Sequence, residues 1–189
     1  MGERYDERSS PVGIRIYVIT MEEITNKVAD SGIITINPED YNQKGERFLL
    51  DIKPLLFQEL ILKEKDFREF IKNEDWSKYQ DKLVAITCSN DAIVPTWAYM
   101  LLGLALEPYA KKVVFGDLLL LETVLFESAI DKIDFSQFAG ARVVIKGCGD
   151  IAVPNDAYVK LANGLKPYVK SMMFGEPCST VPLYKAKKD

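Results

Sequence analysis

The chain has 189 residues, 48% of them hydrophobic and 28% charged, with a net charge of −4 and a pI near 5.1. A chain of this size buries roughly 70% of its unfolded surface, so it needs neither a disulfide nor a metal merely to fold. The acidic balance disfavours nucleic acid or an anionic membrane as a main partner, and no apolar run approaches the ~18–20 residues that span a bilayer.

Residues 1–20 read as an atypical extension of a single α/β domain over residues 21–189. Either Met21 is the true start, or Ile14 to Ile19 form an N-terminal strand. The acidic start Glu3-Arg-Tyr-Asp-Glu-Arg8 lacks the basic region and small-residue cleavage site of a secretory signal, which points to the cytoplasm, where thiols stay reduced. Three cysteines are an odd number, which disfavours a disulfide framework.

Ile24, Val28 and Ala29 have helical spacing and predict an N-terminal helix over 21–30, ending at Ser31-Gly32. Ile33–Ile36 and residues 48–52 read as strands joined by the turn Asn42-Gln-Lys-Gly45, a β-hairpin. Residues 60–71 form a charged amphipathic helix with Leu62, Phe67 and Phe70 on its apolar side. From Lys82 onward strands and helices alternate: strands at 83–87, 112–115, 142–146 and 171–174, helices at 96–110, 118–130 and 155–169. That order calls for a mainly parallel, three-layer α/β sheet with right-handed crossovers. The strands are near-continuously apolar, as when both faces are covered.

Residues 83–117 repeat as 142–176, a shift of 59. Val84, Ile86, Asp91, Val94-Pro95, Ala98-Tyr99 and Phe115-Gly116 return as Val143, Ile145, Asp150, Val153-Pro154, Ala157-Tyr158 and Phe174-Gly175. The sheet is therefore built from a duplicated βαβ unit. Proline suits the first helical turn, so Cys88 and Cys148 fall between a strand's carboxyl end and a helix's amino end. Cys178 follows the last strand, ahead of its own Val181-Pro182. In open parallel sheets these ends line the ligand crevice.

If the two repeat strands are neighbours, three thiols converge on one rim. Cys88, Cys148 and Cys178 would then hold zinc or an iron–sulfur cluster, with Asp91, Asp150 or Glu176 as fourth ligand. Three other readings stand beside this one. In the first the thiols simply pack, in the second one of them is a low-pKa nucleophile at a helix N-terminus, and in the third the protein is a non-catalytic dimeric interaction module. Asp91 and Asp150 would serve as paired acid/base groups in an enzyme, or else cap turns ahead of the helices. Gly147 and Gly149 offer backbone N–H groups to an anion. No dinucleotide or P-loop motif appears, so no nucleotide cofactor is expected. The absence of histidine excludes Ser-His-Asp and Cys-His machinery.

The segments Phe57-Gln-Glu-Leu-Ile-Leu-Lys-Glu-Lys-Asp-Phe-Arg-Glu-Phe70, Asp75-Trp-Ser-Lys-Tyr-Gln-Asp-Lys82, Cys88 through Tyr99, Val143-Val-Ile-Lys-Gly-Cys148 and Met173-Phe-Gly-Glu-Pro-Cys-Ser-Thr-Val-Pro182 resemble a bacterial family, the domain of unknown function 2480. The resemblance covers about Met21 to the C-terminus. It brings no established activity, so no catalytic residues carry over. It implies an accessory role in iron–sulfur metabolism.

Overall fold

The computed structural model describes residues 32–176 and 179–187, all in one compact unit beginning at Gly32. The expected N-terminal helix, residues 1–20 and Cys178 lie outside the described residues. Strands β1 (Ile33–Ile36) and β2 (Arg47–Asp51) lead to α1 (Glu64–Asn73). There follow β3 (Leu83–Thr87), α2 (Thr96–Leu106), β4 (Lys112–Phe115), α3 (Leu118–Ile130), β5 (Arg142–Ile145) and α4 (Asn155–Leu165). β6 (Ser171–Glu176) and β7 (Ser179–Lys185) close the chain.

The architecture is α/β with parallel pairing, as the alternation predicts, but the strands divide between two sheets. Sheet I has the order β2-β3-β4 and sheet II the order β1-β5-β6-β7; only β7 runs antiparallel. The predicted hairpin of β1 with β2 does not form. Each strand instead runs parallel to a central apolar strand, β1 along β5 and β2 along β3. An Asn37-capped 3-10 turn at Pro38–Tyr41 carries the chain away from β1 before a hairpin can close.

Each central strand is almost wholly out of water, with Leu83 to Ile86 and Val143 to Ile145 at 0–2% exposure. On sheet I, α1 and α2 pack Phe67, Ala98, Leu102 and Leu106 against Leu50, Val84 and Ile86. The opposite face, Leu83 and Ala85, is covered by Leu121 and Leu125 of α3. The same helix sends Phe126 and Ile130 into the core of sheet II, beside Val143, Ile145 and Ala157, Leu161 and Leu165 of α4. Leucines and phenylalanines buried this completely contribute about 1.5–3 kcal/mol each by transfer from water. One helix thus serves both sheets.

The shift of 59 holds in the structure and reaches further upstream than residue 83. α2 and α4 have matching ends, and a 3-10 turn at Trp76–Tyr79 matches one at Phe135–Phe138. Asp75 and Asp134 cap these turns identically, each accepting from a serine N–H at 3.0 Å and its hydroxyl at 2.6 Å. The register adds the first strands to the two copies. β2 enters beside Leu83 at Arg47, and β1 enters beside Arg142, the counterpart of Leu83, at Ile33. Each half therefore contains three parallel strands with the duplicated strand at their centre, and sheet II adds the antiparallel β7 at its edge.

Candidate functional site

Parallel strands present all their carboxyl ends at one edge, where the chain must turn into the next helix. Two such edges exist here, one per sheet, and they carry matched residues. In sheet I, Cys88, Ser89 and Asn90 follow β3, Asp51 ends β2, Tyr99 lies in the first turns of α2 and Phe115 ends β4. In sheet II, Gly147, Cys148 and Gly149 follow β5, Asn37 and Glu39 follow β1, Tyr158 lies in α4 and Phe174 in β6. Tyr99 stacks on Phe115 with ring centroids 4.6 Å apart, and Tyr158 meets Phe174 edge-on at 5.6 Å.

This division overturns the shared-rim metal site. The strands that carry Cys88 and Cys148 are not neighbours; they are the centres of different sheets. Among the described residues no group of three cysteine, histidine, aspartate or glutamate side chains stands close enough to hold a metal. The three-cysteine zinc or iron–sulfur centre, and the metal-handling role built on it, are therefore withdrawn. Asp91 and Asp150 follow the central strands of different sheets, and both are exposed. Neither caps a helix, because Pro95 and Pro154 occupy the N-cap positions of α2 and α4. Glu176 ends β6 with its Oε1 buried.

The sheet I edge is closed over. Residues 57–61 lie across it, with Ile61 bridging to Ile93 and the Asn90 side chain donating to the Glu59 carbonyl. Cys88 is half-buried against the core with Ala92, Val94 and Tyr99, and its thiol meets the Asn90 carbonyl at 3.4 Å. Asp51 accepts the backbone N–H groups of Lys53 and Ser89, each at 3.0 Å. Burial acts to raise its carboxyl, but the Ser89 hydrogen bonds, the Lys53 N–H and the Lys53 charge outweigh it and hold the group below the usual range.

Since the chain after β1 passes through the Pro38–Tyr41 turn to β2, the sheet II edge has, among the described residues, no counterpart of this covering segment. It forms a cleft of about 730 Å³ whose walls include Asn37, Glu39, Cys148, Asn155, Tyr158 and Phe174. That volume falls among pockets that hold small organic ligands. Two glycines shape it. A side chain on Gly147 would run into the Phe174 ring, and one on Gly149 would meet the Glu39 carboxylate. Glu39 also accepts the Ile151 N–H of this loop, which sets a carboxylate beside Gly147 and Gly149, the residues expected to bind an anion.

The Tyr158 phenol is pushed above its ordinary value near 10 by burial, then by the negative charges of Glu39 and Cys148. Tyr99 is raised in the same way by burial, Cys88 and Asp51. Both hydroxyls stay protonated at neutral pH and can donate as well as accept. Cys148 is exposed, where Cys88 is not. The open cleft therefore offers a thiol, a phenol, a carboxylate and two amides around an apolar wall of Val153, Val159 and Phe174.

These features define a two-sheet α/β protein in which one strand-end edge is crossed by residues 57–61 and the other holds a cleft. The family profile described as "Protein of unknown function (DUF2480)" matches residues 22–186, and the chain belongs to that family. No curated protein and no solved structure matches the chain. No helix among the described residues is long and apolar enough to cross a membrane.

Sequence reasoning placed Cys148, Gly147 and Gly149 at a crevice but missed Asn37, Glu39 and Asn155. The signal for Asn37 and Glu39 lay in pairing Asn37-Pro-Glu39 with Asp51-Ile-Lys53, two Asx turns ending equivalent strands.

Proposed function

We propose that this protein binds a small organic molecule in the sheet II crevice and that the sheet I crevice is its sealed, structural counterpart. The observation carrying this reading is the contrast within one chain. The same edge occurs twice, covered by residues 57–61 in one copy and left open in the other. An apolar wall with a few convergent polar groups suits a ligand with an aromatic or aliphatic body and one or two hydrogen-bonding edges. Glu39, already seated on the loop, opposes a phosphate or other multiply charged anion there. The unpaired thiols fit a reducing, cytoplasmic setting.

Iodoacetamide labelling with peptide mapping tests the reading. Cys148 labels quickly and Cys88 slowly. A ligand found by thermal-shift screening slows labelling of Cys148 at least several-fold without changing Cys88. A ligand that stabilises the protein yet leaves Cys148 labelling unchanged binds elsewhere and defeats the proposal.

A further inference from the structure

We infer that the outer face of α2 is the contact through which two copies of this chain pair, helix against antiparallel helix. The inference is independent of the crevice ligand. Ala98, Leu102 and Leu106 face the core at 0% exposure. At 100° per residue the opposite stripe runs through Trp97, Met100, Leu104 and Glu107. Met100 is 63% and Leu104 70% exposed, so the helix is apolar on both sides, a pattern that belongs to buried helices.

The duplicated helix supplies the control. α4 has the same ends and the same buried positions, Ala157, Leu161 and Leu165, and at one outward position it too is apolar, with Val159, 60% exposed, matching Met100. At the next two it carries Asn163 and Lys166 where α2 has Leu104 and Glu107, so the fold does not require an apolar residue at the Leu104 position. Further exposed apolar side chains flank the start of the helix: Ile93, 91% exposed, bridges to Ile61, 60% exposed, and Phe115, 60% exposed, meets the Tyr99 ring at a tilt. At roughly 100 Å² of exposed apolar surface for each of these three and for Met100 and Leu104, a partner that covers all five buries about 500 Å² of one copy before any polar rim, against the ~800 Å² per partner of a stable interface. Gly103 borders the stripe with no atom of this chain within 4 Å of where its Cβ would stand, leaving room for a second helix to come close.

Charge selects a second copy in antiparallel register. Trp97 and Glu107 lie equally far from the middle of the stripe, as do Met100 and Leu104. A two-fold axis there sets Met100 against the partner's Leu104 and Glu107 against the partner's Trp97. The Arg68 guanidinium lies 5.7 Å from the Trp97 ring and is paired with Glu64 of its own helix at 2.8 Å, both side chains exposed, so each Glu107 approaches a helix N-terminus and a cation that it shares with Glu64. Within its own chain Glu107 sits at the unfavourable, carboxyl end of the helix dipole, where α4 carries Lys166.

Sedimentation velocity on the full chain tests this. The wild type is a dimer with a micromolar or tighter dissociation constant. Leu104→Glu and Met100→Lys raise that constant roughly a hundredfold, with unchanged circular dichroism, while Asn163→Glu on α4 leaves it alone. Glu107→Arg weakens the dimer and Arg68→Glu added to it restores pairing, which decides the matter even if Leu104→Glu unfolds. A wild type that is monomeric throughout means that another occupant, such as residues 1–31 or a different protein, covers the face, and overturns the inference. So does a dimer indifferent to Leu104→Glu, Met100→Lys and the charge exchange.

Discussion

The Glu39 carboxylate lies where a side chain on Gly149 would stand, and from there it accepts the Ile151 N–H. A residue following β1 therefore fixes the loop following β5, across more than a hundred positions of sequence. In the other half Asp51 plays the corresponding part on Ser89. The open crevice is consequently a shaped one, with its thiol-bearing loop held from the neighbouring strand.

Gly149→Val removes that hold. Gly149 does not need a left-handed backbone; the obstacle is contact with Glu39, which the new side chain displaces. The expected cost is about 1–2 kcal/mol in urea unfolding, in the range of overpacked sites, together with loss of crevice ligand binding. Full binding in a folded Gly149→Val chain would show that the loop's position does not matter.

Stability should respond to pH at both ends of the range. Tyr41, Tyr79, Tyr99 and Tyr158 are all raised from about 10, in each case chiefly by burial. Their protonated forms are favoured in the folded chain, so this contribution is complete below pH 10 and is lost as pH climbs through the folded values. Asp51 is lowered, with hydrogen bonds from Ser89 and Lys53 overcoming burial. Its contribution is complete above the ordinary carboxyl value near 3.8 and is lost as pH falls through the folded value. Glu39→Gln should bring Tyr158 back toward 10, read as an earlier phenolate absorbance step absent in Tyr158→Phe.

α3 joins the two sheets by packing against both cores. Leu121→Ala strikes the sheet I side and Phe126→Ala the sheet II side; each should cost about 2–5 kcal/mol. Both tryptophans lie in the sheet I half, whereas Cys148 reports on sheet II. Tryptophan fluorescence and Cys148 labelling should therefore give one midpoint in the wild type and in both variants. Separate midpoints in the wild type would refute the shared-helix coupling.

Much of this arrangement was legible in the sequence. The strands β3 to β6 and the helices α2, α3 and α4 follow from unbroken apolar runs and Val-Pro helix starts, and the repeat predicted matched halves, whereas the antiparallel β7 was not foreseen. What failed was the assignment of partners. Ile33–Ile36 and Arg47–Asp51 look like hairpin arms because a turn-rich segment separates them, yet nothing local states that each prefers a different central strand. That single non-local choice places Cys88 and Cys148 on separate sheets and removes the metal site. A repeat shows that two loops are alike; it does not show that they are adjacent. The sealing of one crevice was equally hidden, since it depends on Ile61 reaching Ile93 across the fold.

The most direct measurement of the central claim is an amide-resolved NMR titration of the ¹⁵N-labelled chain with fragments that raise its melting temperature. Binding in the open crevice shifts Gly147 to Ile151, Tyr158 and Phe174 together and leaves Ser89 to Ala92 unmoved. Shifts centred on Ser89 to Ala92, or spread evenly over both loops, would contradict the distinction between a working crevice and a sealed one.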